Sequence, residues 1–425
     1  MIKAHFGLSV IMASAALAPL SAAWGQSAPP GDPIAPLPEA AQPATPAEAP
    51  PLPPPLWQAN QAQTLLNYIR QVGRDGLSPA DYDMTGLEAA MRSGDPVAMS
   101  QVATDSFNKL ASDLALGHVR GDARIGWFVE DNDIDPDRRR LLLDAALRDN
   151  RLVEALNGLL PEHPQYGALK TALSITPATD TAKYNRIRLN LDRWRWLPRQ
   201  LGQKYIIVNV PSYYATLVEN GATRWKTRAV AGAVKTPTPQ LSATAVGVIL
   251  NPWWEVPKSI SNEVAGKSGF VAVKGKDGKV QRWRQPPGPS NALGQLKFVM
   301  YNPQNIYLHD TNAKSRFNSE VRAASHGCIR TKDVLELATL LLGDDNGEWT
   351  PEKIKETLAS KKSKQANFVK PLPVYIVYFS AAANVDGSIV SYKDLYNRDD
   401  EVIAALLDGD GKMPGKKAAE KVAIR

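Results

Sequence analysis

Beyond Leu201 the hydrophobic pattern of this chain changes period, and that change limits what its two halves can become. Before it, Leu65, Leu66, Ile69 and Val72 recur at the three-to-four-residue spacing of a core-facing helix. Gly76-Leu77-Ser78-Pro79 breaks that helix, and Pro79 suits a first helical turn. A long helix is expected from Pro96 to Leu116, closed by Gly117, and another from Asp135 to Asn157, broken near Asn150. After Leu201 the chain reads as short strands separated by turns: Tyr205–Val210, Tyr213–Val218, Thr227–Val230, Val246–Leu250, Lys297–Met300, Asn305–His309 and Val374–Phe379. Asn220-Gly221 and Lys276-Asp277-Gly278-Lys279 carry hairpin chemistry, because Asn-Gly and Asp-Gly tolerate the positive φ that tight turns need. Two late helices are read, Lys332–Leu342 and Pro351–Ser360. The fold class is therefore α+β: a helical scaffold domain over 56–185, then a mainly antiparallel β domain over 186–400.

The ends look different. Lys3 and His5 precede an apolar run, Leu8–Leu20, of about 13 residues, too short to span a membrane. With Ala23-Trp24-Gly25 as cleavage site, residues 1–25 read as a signal peptide, so the expected location is the periplasm. Residues 26–55 are rich in Pro and Ala and cannot bury enough apolar surface to fold, which makes them a linker. Residues 401–425 are expected to be a tail, frayed over its Lys- and Ala-rich last dozen. No transmembrane segment is expected. Net charge is +7, which suits an acidic polymer outside the membrane; export and the absence of a clustered basic motif argue against nucleic acid.

The chain has one cysteine, in Ser325-His326-Gly327-Cys328-Ile329-Arg330, and five histidines, of which His309 and His326 lie shortly before the thiol. A lone thiol kept in an oxidising compartment invites a chemical use. Alternation through Ile306-Tyr307-Leu308-His309 puts Tyr307 and His309 on one face. Cys328 is read as lying just before the helix that starts near Thr331 or Lys332, whose free N–H groups favour thiolate. His309 can accept the thiol proton and return it to a leaving amine. The N–H groups around Gly327 and Cys328 can hold an oxyanion. Three other readings stand beside this one: a zinc site of His309, His326 and Cys328, a buried structural thiol, and a binding module with a vestigial site. His118 and His163 read as cap or surface residues.

These residues resemble a known family. His309, 15 residues, then Ser325-His326-Gly327-Cys328 is similar to the signature of the L,D-transpeptidase catalytic domain, or YkuD domain. The likeness extends to its long, YcbB-like branch through Asn190-Leu191-Asp192-Arg193-Trp194-Arg195-Trp196-Leu197-Pro198, Arg284-Gln285-Pro286-Pro287-Gly288-Pro289, Asn291-Ala292-Leu293-Gly294, Lys297-Phe298 and Tyr307-Leu308-His309-Asp310-Thr311. The resemblance implies Cys328 as acylated nucleophile and His309 as its base. It places Asp310 beside the base, lets Ser325, His326 and Gly327 shape the acyl pocket, and puts Tyr307 and Arg330 at the substrate. Arg330 stands where shorter members carry Asn. The insertion near 255–285 looks short, so any substrate-capping subdomain should be small. The implied reaction forms 3–3 crosslinks between peptidoglycan tetrapeptide stems through a cysteine acyl-enzyme, with no cofactor or metal. Alternatives on the same fold are a hydrolase that cuts stems and a transferase that attaches a protein, for instance one of the outer membrane. A non-catalytic wall-binding module is the remaining one.

Overall fold

Caps and apolar spacing account for the helical half. The computed structural model describes residues 55–413 apart from 132, 345–346 and 385. The expected signal peptide, the linker up to residue 54 and the last dozen residues lie outside the described residues. The leading helices are α1 (Ala59–Arg70), α2 (Met84–Ser93), α3 (Pro96–Leu116), α4 (Pro136–Arg148), α5 (Leu152–Asn157), α6 (Pro164–Ile175) and α7 (Thr181–Arg195). Asp95 caps α3 by accepting the N–H groups of Val97 and Ala98, with Pro96 in the first turn. The expected break between α4 and α5 falls at Asn150, whose φ is 52°. Leu65, Leu66, Ile69, Phe107, Leu110, Leu143 and Leu156 meet in one core. Each such buried side chain contributes about 1.5–3 kcal/mol.

The strands are β1 (Trp127–Phe128), β2 (Lys204–Asn209), β3 (Tyr214–Glu219), β4 (Ala222–Gly232), β5 (Gln240–Leu250), β6 (Trp254–Glu255), β7 (Val271–Lys274), β8 (Val280–Gln285), β9 (Leu296–Tyr301), β10 (Leu308–His309), β11 (Ala323–Ser325), β12 (Ile329–Thr331), β13 (Lys364–Val377), β14 (Ala381–Ala383) and β15 (Ile389–Ser391). Four more helices accompany them: α8 (Ser261–Val264), α9 (Val334–Leu342), α10 (Pro351–Ala359) and α11 (Asp399–Leu406). The main sheet runs β5-β13-β2-β3-β4-β12-β10-β9, and β9 pairs back onto β5, so the sheet closes on itself. Most pairings are antiparallel; β10–β12 and β13–β2 are parallel. The apolar runs of β2 and β13 alternate between two cores. Ile206, Val208, Val374 and Ile376 face the inner one, with Leu337 and Leu341 of α9. Tyr205, Tyr375 and Val377 face outward under Tyr166, Leu169, Ile187 and Leu191 of α6 and α7. Trp194 is stacked between His163 and Phe379, with ring centroids 4.2 Å and 4.5 Å away. The helical and sheet parts thus share a core.

Two expectations need correction. The helix after Cys328 does not start near Thr331 or Lys332: β12 comes first, and α9 begins at Val334 after Asp333 in the left-handed region. Pairing of Ile329 and Arg330 with Leu308 and His309 claims that backbone for the sheet. The tail boundary at 401 falls inside α11, whose Val402 and Leu406 are buried against Val119, Leu189 and Trp196. The three-to-four spacing of Val402, Ala405 and Leu406 is what makes that helix dock.

The segment Asn190–Pro198 ties these parts together. Asp192 and Arg195 are buried and paired at 3.0 Å. Asp192 also accepts hydrogen bonds from the main-chain N–H of His118 (2.6 Å) and Val119 (3.2 Å) and from Trp196 Nε1 (2.9 Å). Arg195 donates to the Asp75 carbonyl and the Tyr166 hydroxyl, and Arg193 pairs with Asp399 of α11 at 2.8 Å.

His118 is neither cap nor surface. It is buried, with Nδ1 2.8 Å from Asp113 and Nε2 2.8 Å from the Asp408 carbonyl just past α11. Burial opposes its charge, but Asp113, the Asp408 carbonyl and Asp192 outweigh burial and raise its pKa to about 8. The unfolded value is about 6.5. A raised folded pKa means stability that is complete below pH 6.5 and lost as pH rises through 8, worth roughly 2 kcal/mol. We expect the urea midpoint to fall between pH 6.5 and 8.5, and His118→Gln to abolish that slope. An unchanged slope in the variant assigns the dependence elsewhere.

Candidate active site

The site is built where the closed sheet brings β9, β10 and β12 side by side. His309 on β10 lies opposite Arg330 of β12 in parallel register and opposite Lys297 of β9 in antiparallel register. Alternation holds as expected: the rings of Tyr307 and His309 are 5.6 Å apart. Cys328 ends the turn before β12. Ser325 Oγ holds that turn by donating to the Cys328 carbonyl (2.6 Å) and accepting the Gly327 N–H (3.1 Å). Gly327 has a φ of +113°, which L side chains rarely adopt. Because the Gly327 N–H is committed to Ser325, it is not available to an oxyanion. Among the described residues the Cys328 N–H has no acceptor and is the donor left at that position.

Cys328, His309, Tyr307, Ser325, His326 and Arg330 line one cavity of about 150 Å³, together with Trp254, Pro257, Ile260, Ala292 and Leu293. Trp254, Pro257 and Ile260 belong to the insertion. The insertion forms a three-stranded sheet, β6-β8-β7, with α8 and a core of Val256, Ile260 and Val264, over the cavity. Glu263 of α8 comes within 3.6 Å of His326 Nε2, and both are about half exposed. Asp310 is placed differently from the other candidates. Its buried carboxylate accepts the Gln295 N–H at 2.9 Å and pairs with Lys314. A Cβ at Gly294 would stand 2.3 Å from that carboxylate, so the turn requires glycine there. Asp310 holds the loop before β9 and does not line the cavity.

The electrostatics differ from a helix-activated thiolate. Burial pushes the Cys328 thiol up to about 11, against the opposing pull of Tyr307, Lys297 and Arg330. Sγ lies 3.7 Å from the Asn305 carbonyl, to which the thiol donates a hydrogen bond. Burial, with the charges of Arg330 and Lys297, drops His309 to about 3 despite the Asp310 carbonyl. The resting pair is therefore a neutral thiol and a neutral imidazole. His309 Nδ1 is buried without a hydrogen-bond partner, which leaves a ring nitrogen uncommitted. Among the described residues no group of His, Cys, Asp and Glu is arranged to hold a metal ion.

Several site residues escaped the sequence reading. Trp254, Pro257 and Ile260 reach the cavity only through the folding of the cap. Lys297 had a visible signal, a charge inside the apolar run Leu296–Met300.

A half-buried cysteine, an uncommitted imidazole and two neighbouring cations in a pocket of a closed sheet can support acyl transfer through a thioester. Residues 203–375 match the L,D-transpeptidase catalytic domain family, YkuD, and residues 53–173 match the Scaffold domain family. The chain is thus similar to the L,D-transpeptidase catalytic domain over its strand-rich part and to a scaffold domain over its helical part. A Haemophilus influenzae protein named provisionally as an L,D-transpeptidase is 28% identical over 296 residues, 63% of this chain. The match spans 59% of that relative's length. Among solved structures, a variant of the Enterococcus faecium L,D-transpeptidase is 14% identical, with 43% of this chain and 52% of that chain covered and a TM-score of 0.23. An L,D-transpeptidase of Mycobacterium smegmatis is likewise 14% identical, with 41% and 58% covered and a TM-score of 0.22.

Proposed function

We propose that this protein is an exported peptidoglycan L,D-transpeptidase, acting in the periplasm, that forms 3–3 crosslinks through an acyl-enzyme on Cys328. The observation that carries the reading is the sharing of one capped cavity by Cys328 and His309, whose Nδ1 is buried and unpartnered. In this mechanism Sγ attacks the carbonyl of the third stem residue while His309 takes the thiol proton. The C–N bond breaks, His309 gives that proton to the departing terminal alanine, and the acyl group stays on sulfur. An amine of a second stem then attacks the thioester, its proton returns through His309 to sulfur, and the crosslink is formed. The Cys328 N–H favours the oxyanion. Ser325 and Gly327 keep the turn in shape, and His326, Tyr307 and Arg330 contact the stem.

Incubation of the purified protein with tetrapeptide muropeptides, followed by mass spectrometry, tests this. The expected product is a dimer with one alanine released per crosslink. Tripeptide without dimer identifies a hydrolase instead. Transfer only to an added outer-membrane protein identifies a protein-attaching enzyme, and no product at all returns the domain to wall binding.

Proton transfer within a neutral pair has a pH signature. With the thiol near 11 and the imidazole near 3, neither changes charge between about pH 5 and 9. The rate of acylation by a carbapenem should be level across that window. In His309→Gln the thiolate must form first, so the rate should be lower and climb about tenfold per pH unit. A wild-type rate that also climbs tenfold per unit removes His309 from the role of base.

A further inference from the structure

A second, larger cleft of about 570 Å³ meets the first at Tyr307, a residue common to both linings. Its lining also includes Lys297, Tyr301, Asn302, Asn305 and Gln365. Asn305 supplies the carbonyl that sits 3.7 Å from Cys328 Sγ, so two residues of this cleft, Asn305 and Tyr307, border the nucleophile's surroundings. Lys297 is half-buried in it, with Nζ 5.1 Å from the Tyr307 ring centroid. Among the described residues Lys297 has no ion-pair partner. Glu255, the acid whose charge it feels, is paired with Arg282 at 3.1 Å. Burial lowers the Lys297 pKa, as expected of a cation left without a counter-charge.

The two clefts divide the substrate by chemistry. A general base that takes the thiol proton and returns it to the leaving amine must touch that amine, so the leaving group lies beside His309 in the capped pocket, with Arg330. The incoming amine retraces the same path in the second step and occupies the same place. The acyl chain that remains on sulfur must then lie in the other cleft, against Lys297. We propose that Lys297 is a specificity-determining residue that pairs with a free carboxylate on the acyl chain of the donor peptide, near the scissile carbonyl. Arg330 serves the leaving group's carboxylate independently. The inference rests on the proposed acyl transfer to Cys328. In the step concerned the Sγ–C bond forms, the amide C–N bond breaks, and the thiol proton leaves with the amine.

The test uses the full chain and two donor stem tetrapeptides, one with the acyl-chain carboxylate free and one with it as a carboxamide. Thioester formation on Cys328 is timed by intact-protein mass spectrometry. The wild type should prefer the carboxylate donor in kcat/KM by about ten- to a hundredfold, the range for a charge-assisted hydrogen bond. Lys297→Met should bring that preference close to one, Lys297→Arg should keep most of it, and Arg330→Gln should leave it intact. Equal slowing of both donors by Lys297→Met means that its charge serves the thiol alone, and overturns the specificity role. A preference that persists in Lys297→Met overturns it as well. If neither donor forms a thioester on the wild type, it is the acyl-transfer reading that fails.

Discussion

Cys328→Ser is expected to abolish crosslinking, a loss of at least about a thousandfold, because it removes the only sulfur able to carry the acyl group. The substitution exchanges one small side chain for another in a turn held by Ser325 Oγ, Gly327 and the Thr238 hydroxyl bound to the Gly327 carbonyl. The thermal midpoint should therefore stay close to that of the wild type, separating chemistry from folding. The same variant should lose the covalent adduct that a carbapenem forms: a strained lactam opened by Sγ leaves a thioester, and a digest should place its mass on the peptide containing Cys328. Retained turnover in Cys328→Ser, or an adduct on another residue, contradicts covalent catalysis at this position.

The second large effect lies far from the thiol. Asp192→Ala should destabilise the protein by about 3–5 kcal/mol, the usual consequence of leaving one member of a buried ion pair alone. Arg195 would keep its charge in the core without its carboxylate, and the N–H groups of His118 and Val119 and the Trp196 indole would lose their acceptor. A folded domain has only about 5–15 kcal/mol in hand, so a large fall in urea midpoint is expected. Asp192→Asn keeps the shape but not the charge and should fall between wild type and Asp192→Ala. Because α7 shares a core with β2 and β13 on one side and packs α11 on the other, scaffold and sheet should unfold together in both variants. A midpoint within experimental scatter of the wild type would show that the network is dispensable.

Much of this was legible in residue order because it depends on local chemistry. The start of α3 at Pro96 follows from an Asp cap and a first-turn proline, and the break between α4 and α5 from a left-handed Asn150. The facing of Tyr307 and His309 follows from the two-residue period of a strand. The His-x15-Ser-His-Gly-Cys spacing marked the pair that the fold brings to one cavity. Where a segment could pair or pack in more than one way, local reading failed. Ile329–Thr331 has the length and composition to begin a helix, yet parallel pairing with β10 makes it a strand and takes the helix terminus away from Cys328. His118 has no local mark of burial; Asp113 and the chain around Asp408, 290 residues on, enclose it.

Residue order alone thus accounts for the helical and strand-rich halves and for the choice of a candidate nucleophile and base. Each follows from spacings of a few residues or from a resemblance carried by short motifs. Long-range pairing closes the sheet through β5 and β9 and leaves Asp310 bracing a loop. Burial beside Lys297 and Arg330 keeps Cys328 and His309 neutral at rest. Burial and the approach of distant charges set those properties, and neither is encoded in neighbouring residues.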